Sequence, residues 1–181
     1  MVALVVASAF AVQAATVNWQ LTAAKSAKIY GPDGSTVFGK TTGDTMYLIN
    51  ADSLNSILSA MGGASFNAST TEGIFGSTTA FSTTHGGMSG LLTSDDKLTA
   101  GQQYNFAVLL VSGDSYMVTT AQTKYPSTAE APTTITWGNS TDLAGAGATW
   151  QSIPTESIPE PTSGLLLLLG VAGLALKRNR A

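Results

Sequence analysis

Cysteine is missing from all 181 residues, histidine occurs once, and charged side chains make up only 10% of the chain. Each shortage removes a class of function. Without cysteine there is no disulfide staple, no thiolate metal site and no thiol nucleophile. A lone histidine, His85, leaves carboxylates to complete any metal site, whereas zinc takes three or four ligands drawn mostly from His and Cys. The scarce charge is also lopsided. Lys25, Lys28, Lys40, Lys97 and Lys124 are the only cations in residues 15–157, which carry ten acids. A stretch that acidic repels a phosphate backbone, so nucleic acid is not an expected partner.

Serine and threonine fill the gap, at roughly a quarter of the residues, so hydroxyls rather than charges are expected to carry solubility. The patterning is that of strands. Residues 17–22 alternate apolar and polar, with Val17, Trp19 and Leu21 on one face. Residues 27–30 are expected as a second short strand, closed by the turn sequence Gly31-Pro32-Asp33-Gly34, with Val37 and Phe38 returning across it. Residues 46–49 predict a strand. Asp52 or Ser53 then caps a helix through Met61, with Leu54, Ile57, Leu58 and Met61 at helical spacing and Gly62-Gly63 as the stop. Residues 64–94 read as irregular loops with one or two short strands. The clearest strand signal is residues 103–112. It is expected to pair with 115–122 through a hairpin at Gly113-Asp114. Its alternate faces, Tyr104, Phe106, Val108 and Leu110 against Ala107, Leu109 and Val111, are both apolar, as in a central strand covered on both sides. Residues 133–137 give one more strand, 142–150 a loose turn or short helix, and 153–158 a linker. The expectation is a mainly β chain: one β-sandwich-like domain with one short helix, long enough to bury a core by packing alone.

Both ends differ from this domain. Residues 1–11 are almost wholly apolar, and Val12-Gln13-Ala14 places small residues where a signal peptidase cuts, so cleavage is expected after Ala14. No Lys or Arg precedes Lys25, although a signal peptide opens with positive charge. A start assigned too far downstream accounts for the gap. At the other end, Pro159-Glu160-Pro161 is a stiff, extended, exposed peptide, because each proline fixes its own φ and pushes the preceding residue away from helix. Residues 162–176 carry no charge and include five consecutive leucines. Lys177, Arg178 and Arg180 follow at once. Fifteen helical residues reach about 22 Å, short of the ~30 Å hydrocarbon core. An all-round apolar surface and a basic stop nevertheless favour membrane insertion over a buried core helix, since Lys and Arg can snorkel and hold at the cytoplasmic face.

This order of proline-acid-proline, apolar run and basic cluster resembles the PEP-CTERM sorting signal of Gram-negative bacteria. It covers about an eighth of the chain. The resemblance implies processing near Pro159-Glu160-Pro161 by an exosortase-class membrane protease, a transient stay of the tail in the inner membrane, and delivery to the cell surface or extracellular matrix. It further implies a role in biofilm or envelope structure beside exopolysaccharide. The expected domain plan is signal peptide 1–14, exported β-rich domain 15–157 and sorting tail 158–181.

Nothing in the chain names a chemical activity. His85 lies in Thr83-Thr84-His85-Gly86-Gly87, which reads as a flexible surface loop. Gly87-Met88-Ser89-Gly90 is an off-register echo of a nucleophile motif, and the full Gly-x-Ser-x-Gly pattern is absent. Asp95-Asp96 offers oxygen ligands of the kind calcium takes, yet no Asp-x-Asp-x-Asp pattern accompanies it, and a turn or helix cap is the simpler reading. Trp19 and Trp137 fall in period-two strands and are expected in the core rather than as sugar platforms. Asn67-Ala68-Ser69 and Asn139-Ser140-Thr141 match the N-glycosylation pattern by composition. The acids, Asp33, Asp44, Asp52, Asp95, Asp96 and Asp114 among them, mostly occupy expected turns or caps. No catalytic, cofactor-binding or metal-ligating residue is therefore assigned. The expectation is a non-enzymatic exported surface or matrix protein. A carbohydrate-binding module acting on exopolysaccharide is the alternative, and a matrix hydrolase, which needs two facing carboxylates, ranks third.

Overall fold

The computed structural model describes residues 15–24, 27–94, 97–128, 131–138, 142–143 and 149–155. The chain is mainly β, with two sheets and one short helix. The smaller sheet has β1 (Val17–Thr22) at its centre, antiparallel to β4 (Leu92–Ser94) on one side and parallel to β8 (Thr133–Gly138) on the other. The larger sheet runs β3 (Ile74–Thr78), β2 (Thr45–Asn50), β5 (Tyr104–Ser112), β6 (Ser115–Val118) and β9 (Gln151–Ser152), with β7 (Gln122–Lys124) also on β5.

Between the sheets lies the main core. Val17, Trp19 and Leu21 of β1 and Ile135 and Trp137 of β8 meet Met46 and Leu48 of β2, Phe106, Val108 and Leu110 of β5, and Met117 of β6. The outer face of the larger sheet carries a second cluster, where Ile49, Ile74, Ala107 and Leu109 are covered by Ile57 and Leu58 of α1 (Leu54–Gly62). β5 is thus buried on both faces, with its apolar residues divided as the alternation predicts. Trp19 and Trp137 are core residues with satisfied N–H groups: Trp19 Nε1 donates to Ser94 Oγ at 2.9 Å and Trp137 Nε1 to the Thr120 carbonyl at 2.9 Å.

Three local outcomes differ from the sequence reading. Residues 115–122 are not one strand. β6 pairs Val118 with Leu109, whereas β7 pairs Gln122 with Phe106, so three residues, 119–121, face two on β5. The extra residue is a bulge, and the buried Thr119 hydroxyl replaces the missing ladder group by accepting the Val108 N–H at 2.9 Å. The expected pairing of 27–30 with 37–38 reduces to single bridges, although Ile29 and Phe38 are buried and the turn Gly31–Gly34 closes as expected, with the Gly34 N–H on the Gly31 carbonyl at 3.0 Å. The helix stops at Gly62 as expected, but the position needs glycine for a reason invisible locally: a Cβ there would lie 2.1 Å from the Pro154 carbonyl oxygen. The linker is therefore partly fixed, through β9 on β6 and the Ile153 N–H on the Asp114 carbonyl at 2.8 Å.

Candidate functional site

Most of the polar groups singled out from the sequence serve the fold. His85 sits in a built loop rather than a flexible one. Its Nδ1 accepts the Gly87 N–H at 3.3 Å, its carbonyl takes the Ile29 N–H, and the neighbouring Gly86 and Gly87 are buried where a Cβ would strike backbone atoms of Ile29 and Ala23. Met88 is tied to β1: its N–H donates to the Leu21 carbonyl and its sulfur accepts the Leu21 N–H. No hydrogen bond joins His85 to Ser89 among the described residues.

The acids behave similarly. Asp33 accepts the Ser35 and Thr36 N–H groups and both hydroxyls. These bonds, led by that from the Thr36 hydroxyl, hold its carboxyl well below the ordinary 3.8. Asp44 caps the preceding loop through the Gly39 and Thr41 N–H groups, and its other oxygen is buried without a hydrogen-bond partner among the described residues. Asp52 is held by Asn105, whose Nδ2 lies 3.1 and 3.0 Å from its two oxygens. Asn67 forms a local turn, its Oδ1 accepting the Ser69 N–H. Ala14, Asp95-Asp96, Asn139-Ser140-Thr141, the sorting motif Pro159-Glu160-Pro161 and the basic residues Lys177, Arg178 and Arg180 lie outside the described residues. Among the described residues no group of three or more His, Cys, Asp or Glu could hold a metal ion.

A further convergence of polar groups was not singled out from the sequence. An open cleft of about 430 Å³ lies between the end of β2, the loop before β3 and the start of β5. Phe75 and Tyr104 form an aromatic wall, their centroids 5.3 Å apart and their planes 80° apart. Asn50, Glu72, Lys97 and Gln102 supply the polar lining. Lys97 has φ 63, the single positive φ at a non-glycine residue among the described ones. Such a conformation costs a side chain energy and persists where surrounding contacts hold it. Here the ammonium donates to the Thr71 and Ile74 carbonyls at 3.0 and 3.2 Å. The Tyr104 hydroxyl accepts the Thr99 N–H and donates to Gln102 Oε1. A second, separate hollow of about 210 Å³ lies along β3 beside Gly76 and Ser77 and shares Phe75 and Lys97 in its wall. Sequence reasoning missed the cleft because its residues come from four separated stretches, and only Lys97, as a rare cation, stood out.

A further depression, on the α1 side, is lined by Asp52 and Glu72. Both are exposed on an open surface. An apolar hollow of about 250 Å³ sits where the chain leaves the domain, with Tyr47, Phe66 and Ile153 in its wall. Burial there pushes the Tyr47 phenol up, against a weaker lowering by its hydrogen bond with Thr45.

Beyond the last described residue, Thr155, the chain enters a segment with a known counterpart. Residues 157–180 match the PEP-CTERM protein-sorting motif. The chain is an exported protein of the kind sorted by an exosortase, a membrane enzyme. No curated protein and no solved structure matches it. Among the described residues no helix is long and apolar enough to cross a membrane, and the apolar run of the sorting tail lies outside them.

Proposed function

We propose that this chain is a non-enzymatic protein of the cell surface or extracellular matrix, whose β domain is delivered and released through its C-terminal tail. Residues 1–14 direct export and are removed after Ala14. The tail then inserts in the inner membrane with Lys177, Arg178 and Arg180 on the cytoplasmic side, and the exosortase cuts near Pro159-Glu160-Pro161. The observation that carries this reading is the placement of the motif. It begins two residues after Thr155, past the last pinned strand β9. Every described strand of the domain therefore precedes the scissile region. A structural rather than catalytic role is supported by where the reactive groups are spent: His85 on a loop amide, Asp33 and Asp44 on turns, Asp52 on Asn105.

Intact-mass measurement on protein recovered from the native cell surface tests this. The expected mass is that of a chain starting at Ala15 and ending near residue 160, without turnover of the host's matrix polysaccharides. A mature chain still ending at Ala181, or turnover lost in Glu72→Gln, would overturn it. A second reading, carbohydrate binding in the same compartment, is favoured by the open cleft at Tyr104 and Lys97. The buried tryptophans cannot serve it. Tyr30 and Tyr125, the exposed aromatics, make no ring contact among the described residues.

A further inference from the structure

We infer that the cleft between β3 and the start of β5 binds a segment of a neutral polysaccharide, with Lys97, Glu72, Asn50 and Gln102 as hydrogen-bonding partners and Tyr104 as the apolar wall. The inference rests on the carbohydrate-binding reading and assigns it a site. Three observations carry it. The first is the donor and acceptor balance. Lys97 spends two of its three N–H groups on carbonyls and keeps one. Asn50 Oδ1 accepts the Asp52 N–H and Gln102 Oε1 the Tyr104 hydroxyl, which leaves each amide nitrogen as a donor. Glu72 supplies acceptors. A set with both donors and acceptors fits hydroxyl groups, which are both at once.

Charge is the second. One ammonium and one carboxylate line the same cleft, in a domain with twice as many acids as lysines. A polyanion gains nothing from that pairing and is repelled by the whole domain. The third is shape. A volume of about 430 Å³ is that of a small-molecule site, and a second hollow along β3 adjoins it, sharing Phe75 and Lys97 in its wall. Two adjoining open hollows offer an extended trough on which a chain can lie. The positive φ of Lys97 is strain kept at this one place, as strained residues cluster at ligand clamps.

The test is calorimetric titration of the full-length protein in a sugar-free detergent with cellotetraose, laminaritetraose, glucose and tetragalacturonate. At least one neutral tetrasaccharide should bind tenfold or more tighter than glucose and than tetragalacturonate. Gln102→Ala, on an exposed side chain, should weaken that binding at least tenfold. Lys97→Gly should do the same while keeping the fold, because glycine accepts the positive φ. Tetrasaccharide binding unchanged in both variants would overturn the site and leave carbohydrate binding standing. Equal binding of glucose would overturn the extended trough, and preference for tetragalacturonate would overturn the neutral ligand. No binding of any sugar would sink both the site and the reading beneath it.

Discussion

Ser94 shows how much one hydroxyl can carry in a domain without disulfides. It lies at the end of β4, is buried, and accepts the Trp19 indole N–H in the middle of the core. Across from it stands Gly76 of β3, where a Cβ would come within 2.2 Å of the Ser94 oxygen. Glycine on one sheet thus makes room for the serine of the other. Ser94→Ala removes few atoms but strands a buried donor, and an unpaired buried group costs about 1–3 kcal/mol. Urea unfolding of the variant should show a loss in that range with an unchanged slope. Equal stability would mean that water reaches the indole nitrogen and the core is looser than its packing implies. Nothing in the sequence marks Ser94 among so many serines and threonines, because its importance comes from a partner 75 positions away.

At the scale of elements, β5 and its neighbours decide the architecture. A strand apolar on both faces must be covered twice, by the opposing sheet and by α1, and the alternation in residues 103–112 declares that requirement. The bulge at Thr119 is different in kind. It interrupts the ladder on β5 between β6 and β7 and lets Thr120 reach Asp142, with the Thr120 hydroxyl 2.9 Å from Asp142 Oδ1 and the Thr120 N–H on the Asp142 carbonyl. It thereby ties the hairpin to the end of β8. Thr119→Val keeps the shape and removes the acceptor of the Val108 N–H. A loss of about 1–3 kcal/mol is expected, with faster amide exchange at Val108. Leu110→Ala, on the same strand, should cost about 2–5 kcal/mol by cavity formation. Exchange at Val108 as slow in Thr119→Val as in the parent would refute the hydroxyl's role in the ladder. The contrast explains what was legible. The strands β1, β2, β5 and β8, the helix α1 and the buried tryptophans follow from periodicity, which acts within a few residues. The bulge, the close approach of Pro154 to Gly62 and the Lys97 cleft depend on contacts between distant segments, which no local pattern encodes.

For the whole molecule, the decisive relation is between the domain's last contacts and the sorting motif. Ile153 is bonded to Asp114, Pro154 covers Gly62, and Pro159 follows Thr155 by four residues, a reach of at most about 14 Å. On the proposed reading, cleavage at Pro159-Glu160-Pro161 falls beyond every contact of the described residues, yet close to the domain's surface. Two truncations separate these statements. Deleting residues 158–181 should change domain stability by no more than about 0.5 kcal/mol, as for surface changes away from packed features. Deleting residues 151–181 takes β9 and the Ile153 contact with the second core cluster as well. It should destabilise by about 2 kcal/mol or more, since a partly buried isoleucine and its backbone bond are both lost. Denaturant midpoints of the two truncated chains against the full chain give the comparison. If the shorter deletion destabilised the domain as much as the longer one, the tail would be part of the fold. Sorting would then have to unfold what it delivers, and a release step just beyond β9 would make no physical sense.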